Sequence, residues 1–184
     1  MRERRIAVLA SGRGSNLRAM LGAGLPVAAV ATNVAAAPAR GLAAAAGIRN
    51  EAFPRSAYAS RGERDAAMAE WIGPVDLVVC AGYMALLSSP FLAAFPERVV
   101  NVHPSLLPAF PGATPIEDTL AAGVAVTGVT VHLVDEGVDT GPILAQEEVA
   151  VEPGDTVASL RERLQAVEHR LLPATVASLL ARRG

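Results

Sequence analysis

Three apolar runs without alternation mark the first half of the chain: IAVLA (6–10), VAAVAT (27–32) and VDLVVCA (75–81). Continuous apolarity over so few residues is the pattern of strands covered on both faces. Between and around them, residues 15–24, 39–48 and 60–73 carry helical spacing, so strand and helix alternate. That rhythm predicts an α/β fold, a doubly wound and mostly parallel Rossmann-like sheet. ERVVNV (97–102) adds a strand after a short helix over SSPFLAAF (88–95), with Ser88 or Ser89 placed to cap it. From residue 124 the pattern changes. VAVTGVTVHLV (124–134) is rich in Val and Thr and interrupted by Gly128, and GPILAQEEVAV (141–151) follows across the polar loop DEGVDT (135–140). These predict an antiparallel C-terminal strand pair at one edge of the sheet. Residues 155–183 predict a long C-terminal helix with apolar positions 157, 160, 164, 167, 171 and 172, Asp155 or Thr156 as cap, and a kink or split at Pro173.

Composition narrows the picture. A chain of 184 residues is long enough for one domain with a substantial core, and a single domain over 1–184 is expected. Hydrophobic residues make up 52% and aromatics only 4%, so the core is expected to be Ala, Val and Leu. The net charge of -2, from 16 basic residues (all Arg) and 18 acids, offers no basic field for a nucleic-acid backbone. One cysteine and three histidines argue against a disulfide and against a metal site. Cys80 reads as a small buried hydrophobe. The N-terminus, MRERRIAVLASG, has too short an apolar run for a secretion signal, which needs roughly 7–15 such residues. No run reaches the ~18 apolar residues of a membrane span, so a soluble cytoplasmic protein with no membrane partner is expected.

Four stretches carry candidate chemistry. SGRGSN (11–16), between the first strand and its helix, offers Gly14, Ser15 and Asn16 with free helix-start N–H groups, a phosphate cradle or simply a tight turn. It matches neither the dinucleotide fingerprint nor a Walker loop. AGYMALLSS (81–89) follows a strand end, where such folds line their clefts; it reads as a wall for a flat heterocycle or as an apolar helix start. In NVHPSLLP (101–108), Asn101 and His103 share one side of a strand and Pro104 biases His103 to extended backbone, so the ring is expected to project into the cleft. An amide and an imidazolium converging there would stabilise an oxyanion, and the prolines that follow are expected to fix the exit path. In VDEGVDTGP (134–142), Asp139 is placed to turn inward and keep His103 protonated, or else serves solubility. His132 reads as a satisfied sheet residue, while Gln165 and Glu168 share a helix face at i and i+3. No serine elbow is present and Cys80 has no adjacent base, which speaks against covalent catalysis.

Taken together, SGRGSNL, AGYM, NVHPSLLP and DEGVDTGPILAQ resemble the phosphoribosylglycinamide formyltransferases of purine biosynthesis, almost end to end. The last two motifs are shared across the formyltransferase superfamily. The resemblance implies 10-formyltetrahydrofolate as co-substrate, glycinamide ribonucleotide as acceptor, no metal, and a monomer or homodimer. It implies that Gly14, Ser15 and Asn16 hold the phosphate and that Gln165 and Glu168 receive the glycinamide end. Folate contacts would come from Arg61, Met84, Ala85, Leu86, Leu87, Asn101, Val134, Asp135, Glu136, Val138, Asp139 and Thr140. Asn101, His103 and Asp139 would be the catalytic set. Two positions depart from the family: Ala85, where relatives carry a bulky and often basic residue, and Thr114, where they often carry His. The second variant is closer to methionyl-tRNA formyltransferases. Those enzymes carry a further C-terminal domain, and that reading, like hydrolysis of the formyl-folate, is kept as an alternative.

Overall fold

The computed structural model describes residues 3–182. In chain order the elements are β1 (Ile6–Ala10), α1 (Ser15–Gly22), β2 (Val27–Thr32), α2 (Pro38–Ala45), β3 (Arg49–Ala52), α3 (Arg61–Ile72), β4 (Leu77–Cys80), α4 (Ser89–Ala94), β5 (Val99–His103), α5 (Pro115–Ala122), β6 (Val126–Leu133), β7 (Ile143–Ala150) and α6 (Val157–Arg182). The strands form one seven-stranded sheet in the order β3-β2-β1-β4-β5-β6-β7. β1 to β5 run parallel, and β6 is antiparallel to both neighbours. The expected α/β architecture, with its antiparallel C-terminal pair and long closing helix, is the one observed. The chain winds outward from β1 to β3 and then crosses back to β4, so the β1 and β4 ends flank a topological switch point, where such sheets bind ligands.

Burial on both faces explains the continuous apolar runs. Ile6, Val8 and Ala10 face Leu17, Met20, Leu160 and Leu164 of α1 and α6, while Ala7 and Leu9 face Met68, Ile72 and Phe91 of α3 and α4. All five β1 residues are fully buried. Each fully buried Leu or Met contributes about 1.5–3 kcal/mol, and the small residues of β1 and β2 let the helices close on the sheet.

Three local features differ from the expectations. β3 (RNEA) escapes an apolar-run criterion because it is a polar edge strand paired only with β2. α5 has no counterpart among the expected elements, although Pro115 at its start, Glu117 and Asp118 in its first turn and left-handed Gly123 at its end are the ordinary helix signals. α6 continues through Pro173 to Arg182 and is not split. The ring costs about 3 kcal/mol in a helix interior, but Leu172 and Val176 on either side are fully buried against the core and hold the helix together. Thr156 caps α6, its Oγ1 accepting from the Ser159 N–H at 3.1 Å, while Asp155 binds Arg163 instead. Arg183, the last residue of the expected helix, lies outside the described residues. Among those residues no helix is long and apolar enough to cross a membrane.

Candidate active site

Three loops meet at the carboxyl ends of β1, β4 and β5. After β1, the chain turns through Gly14, whose φ of +78° favours glycine and where a Cβ would stand 3.0 Å from Ala39 Cβ. α1 therefore starts hard against α2. Its first turn has no side-chain cap, leaving backbone N–H groups open to a ligand. Asn16 is buried there, and its Nδ2 donates to Glu168 Oε2 at 2.9 Å. Its Oδ1 is buried with no partner. Burial pushes the Glu168 carboxyl above its usual range, and the Asn16 bond and the Arg161 charge only partly offset this. A cavity of about 210 Å³ opens between the 12–16 loop, Met84, Val102 and the α6 residues Arg161, Gln165 and Glu168. The structure thus joins two segments that are more than a hundred residues apart in sequence.

After β4, residues 82–88 form no helix; α4 begins only at Ser89. Ser11 stitches this segment to the first loop: its N–H donates to Gly82 O at 3.0 Å, and its Oγ accepts from the Met84 N–H at 2.7 Å. Met84 and Leu86 are 78% and 55% exposed, a large apolar presentation at a cleft edge. Among the described residues the backbones of Ala85 and Leu87 form no hydrogen bond. Arg61 is exposed at the start of α3, one turn before Arg64, whose Nη2 donates to Leu86 O at 3.1 Å.

At the end of β5, Val102 faces the cavity while Asn101 and His103 project from the opposite side of the strand and do not line it. His103 is 5% exposed, so its ring is packed and does not stand free in the cleft as expected. Its Nε2 lies 2.9 Å from Phe110 O and its Nδ1 lies 3.5 Å from Asp139 Oδ2. Both neighbours can only accept, so each ring nitrogen faces a hydrogen-bond acceptor. Asp139 Oδ2 also accepts from the Gly112 N–H at 2.9 Å, and its Oδ1 lies 3.6 Å from His132 Nε2. Burial opposes the Asp139 charge, but the His132 bond, the Gly112 N–H and the two imidazoles together hold its carboxyl below the usual range.

His132 is the residue that sequence reasoning passed over. It pairs directly with Asn101 across β5 and β6, and Asn101 Nδ2 lies 3.2 Å from its Nε2. Its Nδ1 donates to Leu133 O at 2.8 Å, and its Nε2 stands between Asn101 Nδ2 and Asp139 Oδ1. It is satisfied, as expected, but it also touches two of the candidate residues. Only the strand register could have revealed this. Backbone strain gathers here as well: Phe110 and Asp139, which face the two nitrogens of His103, have φ of 53° and 54°. Such conformations cost about 1–3 kcal/mol each and mark sites where geometry matters more than local comfort.

The exit path after His103 is held chiefly by hydrogen bonds. Thr130 Oγ1 donates to Ser105 O and accepts from the Leu107 N–H, and Gln146 Nε2 donates to Thr130 Oγ1 and to Leu107 O. At Gly128 a Cβ would come within 2.2 Å of the Glu147 backbone O on β7 and 2.4 Å of Leu106 Cδ2, so glycine here avoids a clash with the neighbouring strand as well as with this loop. In the 134–140 loop, Val134 N–H donates to Val99 O, and Asp135 Oδ1 accepts from Gly137 N–H and Thr140 Oγ1. Glu136 and Val138 are exposed. Thr114 turns to its own helix, its Oγ1 donating to Asp118 Oδ2 at 3.1 Å.

The family model described as formyl transferase matches residues 4–176. The chain belongs to the formyl transferase family. This formyltransferase is 47% identical over 181 residues to the phosphoribosylglycinamide formyltransferase of Mycobacterium tuberculosis, covering 95% of the chain and 84% of the relative. It is 41% identical over 180 residues to the human trifunctional purine biosynthetic protein adenosine-3, covering 94% of the chain and 18% of that longer protein. Among solved structures, the phosphoribosylglycinamide formyltransferase of Bacillus halodurans superposes with a TM-score of 0.94 at 41% identity, covering 98% of the chain and 97% of the other. A larger groove of about 540 Å³, between α3 and α4, lies at the amino ends of β4 and β5, away from every candidate residue of the formyltransferase.

Proposed function

We propose that this formyltransferase transfers the formyl group of 10-formyltetrahydrofolate to the amine of glycinamide ribonucleotide, in the cytoplasm, as a step of de novo purine synthesis. The observation that carries the reading is His103, held between a carboxylate and a carbonyl beside the Asn101 amide, across the end of β5 from a cavity that begins at an uncapped helix start. The relatives' names support the choice of acceptor.

In this reading Gly14, Ser15 and Asn16 hold the phosphate, and Gln165 and Glu168 receive the glycinamide end. The formyl-folate lies along Met84, Ala85, Leu86 and Leu87, with Arg61 at its edge, and the free backbones of Ala85 and Leu87 meet the edge of its heterocycle. Val134, Asp135, Glu136, Val138, Asp139 and Thr140 close over it beside Asn101. The substrate amine attacks the formyl carbon, forming a new C–N bond and an oxyanion. Asn101 Nδ2 and the His103 Nε2–H turn from their present acceptors to that oxygen, and Asp139 stabilises the charged ring. The bond from carbon to the folate N10 then breaks, and the proton released by the attacking amine passes to N10. The products are a formamide and tetrahydrofolate, and the scheme calls for no metal.

The test is an initial-rate assay of tetrahydrofolate release by purified protein. The expected result is release that requires both the folate and the ribonucleotide and saturates in each. Release that proceeds at full rate without the ribonucleotide would replace this reading with hydrolysis. Release that depends on methionyl-tRNA would replace it with the tRNA reaction.

A further inference from the structure

Arg64 and Asp65 are neighbours on α3 with side chains only 3% and 0% exposed, and no step of the reaction uses them. Arg64 Nη2 stands 2.5 Å from Asp65 Oδ1, and its Nε donates to the same oxygen at 2.7 Å. Burying such a pair loses so much hydration that apolar residues of similar volume usually serve stability equally well or better. The face they share is otherwise a place for apolar side chains, since Met68 and Ile72 follow on it and are buried in the core. Stability is therefore a poor reason for the pair, and its remaining bonds point to another.

Both remaining bonds go to one short segment. Arg64 Nη2 donates to Leu86 O at 3.1 Å, and Asp65 Oδ2 accepts from the Ser88 N–H at 2.7 Å. At the other end Ser11 holds Gly82 O and Met84 N–H. The segment is thus fastened at residues 82, 84, 86 and 88, while the backbones of Ala85 and Leu87 are left without partners among the described residues. A carbonyl and an N–H two residues apart, gripped by opposite charges of one rigid pair, fix both the position and the rotation of the stretch between them. Ala85, with a single methyl, adds no anchor of its own.

We propose that Arg64 and Asp65 are a positioning pair that sets the segment 84–88 for the formyl-folate. The pair touches no substrate; it acts through the backbone of Leu86 and Ser88, so that the free groups of Ala85 and Leu87 meet a flat heterocycle without first having to be ordered. The proposal rests on the assignment of 84–87 to the folate given above.

The double variant Arg64→Met/Asp65→Leu replaces the pair by apolar side chains, and Arg64→Gln provides a milder second case that keeps a side chain capable of donating. In each, three quantities are read: hydrogen exchange of the amides at 84–88, affinity for tetrahydrofolate by titration calorimetry, and separate KM values with kcat. The expected result is exchange at 84–88 faster by roughly tenfold or more and a folate affinity and folate KM weakened by roughly tenfold, about 1.4 kcal/mol. The KM for the ribonucleotide and kcat at saturation should stay within about twofold, a split that general loosening of the fold would not produce. Unchanged exchange at 84–88, or equal damage to both KM values, overturns the positioning role. Faster exchange with unchanged folate affinity also overturns the proposal, and it locates the error in the assignment of 84–87 to the folate, leaving the fastening itself in place.

Discussion

Around His103 most polar side-chain atoms are engaged: both of its nitrogens, both nitrogens of His132 and both oxygens of Asp139 have neighbours of matching chemistry. On the other side of β5, at Asn16, one amide oxygen is buried with none, and the Glu168 carboxyl is held in a place that disfavours its charge. The first region's buried atoms are matched internally; the second keeps a buried acceptor unmatched. In the proposed reaction the donors of Asn101 and His103 exchange these internal acceptors for the developing oxyanion. A pocket with an unmet acceptor and a desolvated carboxyl instead holds interactions in reserve for a ligand that brings donors and positive charge. The contrast fits the proposal of chemistry on the β5–β6 side and substrate recognition on the α1–α6 side.

The sharpest way to break this contrast is His103→Ala. Turnover should fall by roughly 10²–10⁴-fold while ribonucleotide affinity, measured by calorimetry, stays within about threefold. Equal losses in both would mean that the two sides are not separate.

Asp139→Asn should lower kcat by roughly 10–100-fold by weakening the hold on the charged ring. It also has a signature in stability. Because the folded-state carboxyl is held below its ordinary value of 3.8, its stabilisation is present above that pH and is lost as pH falls through the lowered value. The gap in Tm between the parent and Asp139→Asn should therefore be full at pH 6 and shrink as the pH is brought below about 4.

Glu168→Gln should act in opposite directions on function and stability. The KM for the ribonucleotide should rise roughly tenfold with kcat changed less. A carboxyl raised in the folded state contributes fully below its ordinary value of 4.5 and loses that contribution as pH rises through the raised value. The variant should accordingly gain about 1 kcal/mol, some 2–4 °C in Tm, at pH 8 and gain little at pH 4.

The smallest effect is expected at Thr114. Its hydroxyl is committed to Asp118 and the residue is exposed, so Thr114→Val should change either KM by less than about twofold and cost about 0.5 kcal/mol of stability. A larger shift in KM would place Thr114 in the cleft after all.

Much of this was legible in the chain. The apolar runs of β1, β2 and β4 give themselves away because both faces of those strands are covered, and the loops that follow them carry the polar and glycine residues of the cleft. Asn101 and His103 were visible because spacing along a strand determines which residues share a side. What depended on pairing was not visible. His132 meets Asn101 only through the β5–β6 register, and Asn16 meets Glu168 only when α6 folds back over α1. Arg64 and Asp65 read as ordinary charged residues near the start of a helix, since nothing local says that both are buried. The prolines after His103 were visible, whereas Thr130 and Gln146, which also hold the loop from the next two strands in sequence, were not.

The most direct test of the account follows the transferred carbon itself. With folate carrying a ¹³C-formyl group and ribonucleotide present, the account predicts that the label leaves the folate and appears on the glycinamide nitrogen as a formamide, in step with tetrahydrofolate release. Label recovered instead as free formate, at a rate indifferent to the ribonucleotide, would contradict it.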